Sequence, residues 1–338
     1  MWRAAAQRSL VLFPGALGDF LCFLPTLRVL SQGGEVDLLA RSEFADLVPP
    51  TVKVGSLERD EIRKLFVRGS ARDERLRDFF NSYSSIFSWM GSGESRFVRK
   101  LSDVSQGRAR VFPFQPVQRR LHQSDYYLRC VGNRSPANGP VEIPLKPEAV
   151  RWSQHYWREH LLNGKRVMTF APGSGALEKN WPETSFRAVA DWWRRQTSGS
   201  IVVILGPVEA ETGDYTALCR ESAVARNLSL GQLAALLAHS DLYLGNDSGV
   251  SHLAAAVGVV TVVLFGPSNI IQWAPRGNNV TVVTQNVACA PCTLSTMKSC
   301  PHRKCLTTLG PEYVIEKLAR LGGEGHLDKG GGRDYSDL

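Results

Sequence analysis

Long apolar runs are missing from this 338-residue chain. The longest nearly apolar stretch, Leu253 to Phe265, is too short to cross a bilayer and changes from helical to extended patterning within itself, so no transmembrane segment is expected. Aromatic–basic interleaving and nucleic-acid motifs are lacking, which argues against a nucleic-acid partner. There is no Asp-x-Asp pair, the usual carrier of a metal-bridged nucleotide. The dinucleotide fingerprint is absent too: Gly15-x-x-Gly18-Asp19 has the wrong spacing. The second strand ends Leu38-Leu39-Ala40-Arg41, where an acidic residue is expected. No internal repeat is visible.

What is present describes an ordinary globular protein, 43% hydrophobic and 21% charged, long enough for two domains. The net charge of +8 is uneven, with +6 in residues 1–150. A basic first half suits an acidic partner, a phosphorylated substrate or an anionic membrane surface; solvated helix faces account for it equally well. The opening Met-Trp-Arg-Ala-Ala-Ala-Gln-Arg-Ser runs straight into a strand, which argues against a cleaved signal peptide and for a cytoplasmic location. Four of the seven cysteines cluster as Cys289-x2-Cys292-x7-Cys300-x4-Cys305, with His302 among them. The first pair has zinc-ligand spacing and the second does not, so packed or loop thiols are expected over a metal or a disulfide.

Strand and helix signals alternate along both halves. In the first, strands are predicted at Leu10–Phe13, Val36–Leu39, Val52–Val54 and Ser85–Trp89. Helices are predicted at Asp19–Leu30, near Phe44–Leu47, through Glu58–Phe80 and at Gln118–Val131. An irregular basic loop is expected after Gly91-Ser92-Gly93. Residues 133–147 read as a linker to a helix at Glu148–Leu162. The second half repeats the pattern, with strands at Val167–Ala171, Ile201–Leu205, Asp241–Leu244, Val259–Phe265 and Val280–Thr284. Its helices fall at Pro182–Gln196, Val208–Arg220, Leu230–Ala238, Val250–Val257 and Pro311–Leu321. From Gly322 the Gly-rich end reads as disordered. Two alternating arrays imply an α/β protein of two doubly wound domains with a cleft between them.

Three loops that follow strands carry the chemistry. Pro14-Gly15-Ala16-Leu17-Gly18-Asp19 presents a carboxylate at a helix start, where it either caps the helix or accepts a proton from an attacking hydroxyl. Ala171-Pro172-Gly173-Ser174-Gly175-Ala176-Leu177-Glu178-Lys179-Asn180-Trp181-Pro182 combines a glycine-rich turn with Lys179. That lysine is either a surface residue or an anion-neutralising one. Gly245-Asn246-Asp247-Ser248-Gly249 ends a strand and opens a helix carrying His252. Exposed amides and the helix dipole make that point a site for a diphosphate-bearing ligand, although His252 also reads as a packed helix residue.

Taken in order, these residues resemble glycosyltransferase family 9, the heptosyltransferases of lipopolysaccharide core assembly. The resemblance rests on Gly18-Asp19 with Pro25, Pro172-Gly173-Ser174 with Lys179 and Trp181-Pro182, and Gly206-Pro207-x-Glu209. It continues through Asp247-Ser248-Gly249-x-x-His252-x-Ala254-Ala255, Phe265-Gly266-Pro267 and Trp273-x-Pro275. The cysteine segment looks like that family's C-terminal region, which usually carries no metal there. The resemblance implies a GT-B fold, two Rossmann-like domains facing a central cleft. The acceptor domain would span 1–145 and the nucleotide-sugar domain 146–310. Helix 311–321 would return to the first domain, leaving a disordered tail at 322–338.

Asp19 would be the catalytic base, with Ser174, Gly175 and Lys179 around the donor phosphates. Glu209 would meet the ribose hydroxyls and Leu228 the base. Asp247, Ser248, Gly249 and His252 would form the pyrophosphate and donor-sugar loop. The implied reaction is inverting, metal-independent and without a cofactor. It moves a sugar, heptose from ADP-heptose, to a lipopolysaccharide-core or related surface glycan, an acidic glycolipid at the cytoplasmic face of the inner membrane. Peripheral membrane association would follow. Positions 96, 99, 100, 108, 110, 119 and 120, all Arg or Lys, would suit such an acceptor. Ser85-Ile86-Phe87-Ser88-Trp89-Met90-Gly91 lacks the acidic residue that often ends this strand in the family, so the donor side matches better than the acceptor side. Two rival readings are a nucleotide-sugar epimerase on the same fold and a non-catalytic paralogue that binds nucleotide sugar or glycan.

Overall fold

The structure is a computed structural model that describes residues 8–323 apart from 69–72, 118–119, 138–141, 207–208 and 210–214. It divides into two compact units after Ala137, within the stretch 133–147 read as a linker and ahead of the boundary at 145 that the resemblance implies.

The first unit is built on a parallel sheet of β1 (Arg8–Leu12), β2 (Glu35–Ala40), β3 (Val52–Ser56), β4 (Ser85–Ser88) and β5 (Ala109–Val111), in the order β3-β2-β1-β4-β5. Parallel strands covered by helices bury both faces, and Leu10, Val11, Leu12, Leu38 and Ile86 are fully buried accordingly. An aromatic cluster fills the space over β1: Phe13 stacks on Phe23 at 4.4 Å and meets Tyr127 edge-on at 5.6 Å. Helix Leu17–Gln32 packs against helix Gln123–Cys130.

The second unit carries β6 (Val167–Ala171), β7 (Ser200–Leu205), β8 (Ala223–Arg226), β9 (Leu242–Asn246), β10 (Val260–Phe265) and β11 (Val280–Thr284). Their order is β11-β10-β9-β6-β7-β8, again all parallel. The chain leaves β6 toward β7 and β8, then returns to β9 on the other side. The order therefore reverses between β6 and β9. Connections diverge there and leave a crevice at the carboxyl ends of the two strands, the usual ligand position in such sheets.

Several expectations need correcting. The stretch after Gly91 is not an irregular loop: Ser95–Val104 is a helix that buries Phe97, Leu101 and Val104, and Ala109–Val111 is an edge strand. The charged stretch 58–80 is two helices, Asp60–Phe66 and Glu74–Asn81. Strand β8 was not anticipated. In the last helix, Pro311–Gly323, Val314 and Leu318 are buried in the core of the second unit, and the helix packs on Glu183–Thr197. The expected tail beyond 323 and residues 208 and 210–214 of the expected helix 208–220 lie outside the described residues, and Thr216–Cys219 is helical.

Helices Pro147–Glu159 and Leu230–His239 pack together on the second unit. The second opens with a capping box, Ser229 Oγ accepting the Gln232 N–H at 3.2 Å and Gln232 Oε1 accepting the Ser229 N–H at 3.0 Å. It ends at His239, whose ring meets Ser153 Oγ at 2.7 Å and lies 5.3 Å from Trp157. Burial lowers the His239 pKa below its ordinary 6.5. As pH falls below 6.5, the unfolded chain takes up a proton at this site that the folded chain does not. The stability present above that pH is therefore lost on acidification toward the depressed value. Urea unfolding on either side of pH 6.5 should show a steeper acid loss in the wild type than in His239→Gln. Parallel pH profiles would contradict the assignment.

Candidate active site

Because all six strands of the second sheet run parallel, the loops that follow them emerge at one edge. Four sequence-predicted segments emerge there: 172–180 after β6, Glu209 after β7, Leu228 after the edge strand β8, and 247–252 after β9. The first and last flank the reversal between β6 and β9.

These two loops are joined by an ion pair. Lys179 Nζ lies 2.8 Å from Asp247 Oδ2, with side chains 26% and 8% exposed. The Asp247 N–H donates to Leu264 O at 3.0 Å, extending strand pairing past the end of β9. Asn246, which the sequence reading left without a role, fixes the same junction. Its Nδ2 donates to Pro172 O at 2.6 Å and its Oδ1 accepts the Trp181 N–H at 3.1 Å. A fully buried amide thus ties both ends of the lysine loop to the strand that delivers Asp247.

The helix Gly249–Ala256 starts immediately beyond. Its N-cap, Ser248, has extended backbone and makes no side-chain capping bond. The first-turn amides of Gly249 and Val250 point out of the helix with no partner of the intrahelical kind, the positive end of the helix dipole. Ser251 is turned to another use: its hydroxyl donates to Asn246 O at 2.5 Å and meets Tyr243 OH at 2.9 Å, clamping the helix to the strand end. His252 is 8% exposed in the first turn of this helix.

Within the β6 loop, the Ser174 hydroxyl lies 2.8 Å from Ala176 O and 2.6 Å from Asn180 Oδ1, so it shapes the loop. Gly175 has a φ of 70°, a left-handed backbone that favours glycine. At Gly173 a methyl group would meet the Glu209 carboxylate in its present position, and that carboxylate also approaches Gly206. Glu209 therefore lies over the carboxyl ends of β6 and β7, beside the lysine loop. Leu228 is half-buried in the loop after β8.

Asp19 belongs to the first unit and stands at the corresponding place in that sheet. It follows β1, whose neighbours β2 and β4 mark the reversal there. In the first turn of helix Leu17–Gln32, its Oδ2 accepts the Ala16 N–H at 3.1 Å, so the capping reading is realised. The same bond fixes the carboxylate's direction. Burial raises the Tyr127 pKa, and the nearby Asp19 charge adds to the rise.

Of the basic positions assigned to the acceptor side, Arg96, Arg99, Arg110 and Arg120 are exposed, and position 119 lies outside the described residues. Lys100 does not belong with them. It is 7% exposed, and its ammonium donates to the Lys64 and Val67 carbonyls at 2.6 Å each, closing the end of the neighbouring helix. Cys289, Cys292, Cys300 and Cys305 line one small cavity with Glu178, His302 and Arg303, and all four are free thiols. Among the described residues, no group of three or more His, Cys, Asp or Glu is arranged to hold a metal ion. None of the described helices is long and apolar enough to cross a membrane.

The sequence profile described as glycosyltransferase family 9 (heptosyltransferase) matches residues 136–302, the span that holds the loops after β6 and β9 with Lys179 and Asp247. Over that span the chain carries the sequence pattern of glycosyltransferase family 9. Among curated relatives it is 34% identical over 177 residues to lipooligosaccharide heptosyltransferase 2 of Campylobacter jejuni, a match covering 49% of this chain and 54% of that protein. The chain thus spans about half the length of the curated relatives it matches. A solved family 9 glycosyltransferase from Veillonella parvula aligns over 96% of this chain and 99% of its own, with a TM-score of 0.77 and 20% identity. The ADP-heptose lipopolysaccharide heptosyltransferase II of Escherichia coli aligns over 94% and 99%, with a TM-score of 0.69 and 16% identity. These neighbours place the chain in the GT-B fold class.

Asn246 offers a direct test of the junction. Asn246→Ala leaves the Trp181 N–H unpaired in a dry interior and the Pro172 carbonyl with the Tyr215 hydroxyl at 3.3 Å, and is expected to cost about 1–3 kcal/mol. Asn246→Asp keeps an acceptor for Trp181 but loses the donor and buries a charge, so it should be no better. Chemical denaturation checks both, and a loss near zero for Asn246→Ala would show that the junction does not depend on this amide.

Proposed function

We propose that this protein transfers a heptose from ADP-heptose to a lipopolysaccharide-core or related surface-glycan acceptor, by inversion and without a metal. The observation that carries the reading is the Lys179–Asp247 pair set against an uncapped helix N-terminus at the sheet's reversal point. A lysine and outward-pointing amides form a cradle for a diphosphate, so charge developing on a departing ADP needs no metal to meet it. The names of the relatives, heptosyltransferases that act on lipooligosaccharide or lipopolysaccharide, support the acceptor class, and the Escherichia coli neighbour's name supports ADP-heptose as donor.

In the proposed step the acceptor oxygen attacks the anomeric carbon from the face opposite the diphosphate. The new C–O bond forms as the bond to the β-phosphate oxygen breaks, and the hydroxyl proton passes to Asp19. One carboxylate is enough because ADP is already a good leaving group. Lys179, exchanging Asp247 for the phosphates, and the Ser248 and Gly249 amides carry the charge that accumulates on ADP. Glu209, over the ends of β6 and β7, takes the ribose hydroxyls, and Leu228 borders the base. Ser174 and Gly175 hold the loop's shape around the phosphates, with Asp247 and His252 near the sugar. Exposed Arg96, Arg99, Arg110 and Arg120 suit a phosphorylated glycolipid presented at the cytoplasmic face of the inner membrane.

Asp19→Asn keeps the size and a capping acceptor yet has no base. It should lower kcat by about 10²–10⁴-fold with donor affinity near wild type. Lys179→Ala should weaken ADP binding and lower kcat by about 10²-fold or more. A heptosyl-transfer assay with calorimetric titration of ADP reads both. Wild-type turnover in Asp19→Asn would remove the base assignment, and unchanged ADP affinity in Lys179→Ala would remove the cradle.

A further inference from the structure

The loop that carries Lys179 is held from outside by a segment to which the proposed chemistry gives no part. Leu177–Lys179 forms a single 3-10 turn, closed by the Asn180 N–H on the Leu177 carbonyl at 3.1 Å. Arg303 Nη1 donates to that same carbonyl at 2.8 Å, across 126 residues of sequence. On the far side of Lys179, Trp181 Nε1 donates to Leu309 O at 2.8 Å. Lys179 therefore lies between two anchors, both supplied by residues 303–309.

That segment is itself fixed. Leu306 and Leu309 are buried in the core of the second unit, and a methyl group on Gly266, at the end of β10, would overlap the Leu306 side chain. Arg303 opens the short helix Lys304–Thr307 with φ 41° and ψ 40°. A side-chain-bearing residue adopts this left-handed conformation only where its surroundings hold it there. Arg303 lies just beyond the span matched by the family profile.

We propose that Arg303 is a positioning residue for Lys179: by filling the second lone pair of the Leu177 carbonyl, it keeps the 177–180 turn closed and so sets the affinity for an anionic nucleotide. A charge-assisted bond to the carbonyl that accepts the turn-closing Asn180 N–H holds that carbonyl in the orientation the closed turn needs. A lysine on a closed turn loses little freedom when it takes a phosphate, whereas a lysine on an open loop must be ordered at each binding event. The inference rests on the reading of Lys179 as the residue that meets the donor diphosphate.

The test uses the full-length protein, with ADP as the probe. Arg303→Ala should raise the ADP dissociation constant about threefold to tenfold and speed hydrogen exchange at the Lys179 and Asn180 amides, with thermal unfolding close to wild type. Arg303→Lys should recover part of the affinity. Millimolar guanidinium should restore binding to Arg303→Ala and not to Lys179→Ala, a rescue that a purely structural role would not show. Wild-type ADP affinity in Arg303→Ala beside a clear loss in Lys179→Ala would overturn this proposal alone. Wild-type affinity in Lys179→Ala would overturn the donor reading and this proposal with it.

Discussion

A single ion pair at the reversal of a parallel sheet organises the second unit's chemistry. Lys179 and Asp247 sit 68 residues apart in sequence and 2.8 Å apart in space, one on each side of the crevice between β6 and β9. Removing two charges from water costs more than their attraction returns unless the geometry is good and the surroundings supply further partners. Here they do: Asp247 stands just before a helix N-terminus, whose dipole favours its negative charge, and its own amide is paired to Leu264. The pair leaves the lysine charge in place, part-exposed, beside amides that also favour anions. An incoming diphosphate would then meet a site already built, which is where electrostatic catalysis has its advantage.

The rest of the unit secures that arrangement. Asn246 stitches Pro172 to Trp181 through buried hydrogen bonds, Trp181 reaches on to Leu309, and Arg303 closes the turn that carries the lysine. Gly173 leaves room for the Glu209 carboxylate to lie against the backbone. The last helix belongs to the same unit because Val314 and Leu318 complete its core, so the segment that anchors the lysine loop is braced from both ends.

Much of this was legible in the residues, and the failures have physical causes. Strand β6 falls on the expected residues because a continuous apolar run marks a buried parallel strand, and the edge strand β11 does so because all five of its residues, Val-Thr-Val-Val-Thr, are β-branched. The loops after β6 and β9 were legible because glycine and proline interrupt such runs. Strand β5 escaped because three residues with an arginine at the centre give no apolar run, and β8 because Ala-Val-Ala-Arg holds a single β-branched residue. Lys100 was misread because a charge in a basic stretch is ordinarily solvated. Here two carbonyls at a helix end needed a donor, a requirement visible only once the two helices pack. The roles of Asn246 and Arg303 were hidden for the same reason: each acts through backbone atoms of residues distant in the chain.

The account's central claim is that the crevice between β6 and β9 receives the diphosphate. A crystal structure of the ADP complex tests it most directly. The account predicts phosphate oxygens within hydrogen-bonding distance of Lys179 Nζ and of the Ser248 and Gly249 amides, with the lysine drawn away from Asp247. A diphosphate seated instead on the Gly15–Asp19 loop of the first unit, with the Lys179–Asp247 pair undisturbed, would contradict it.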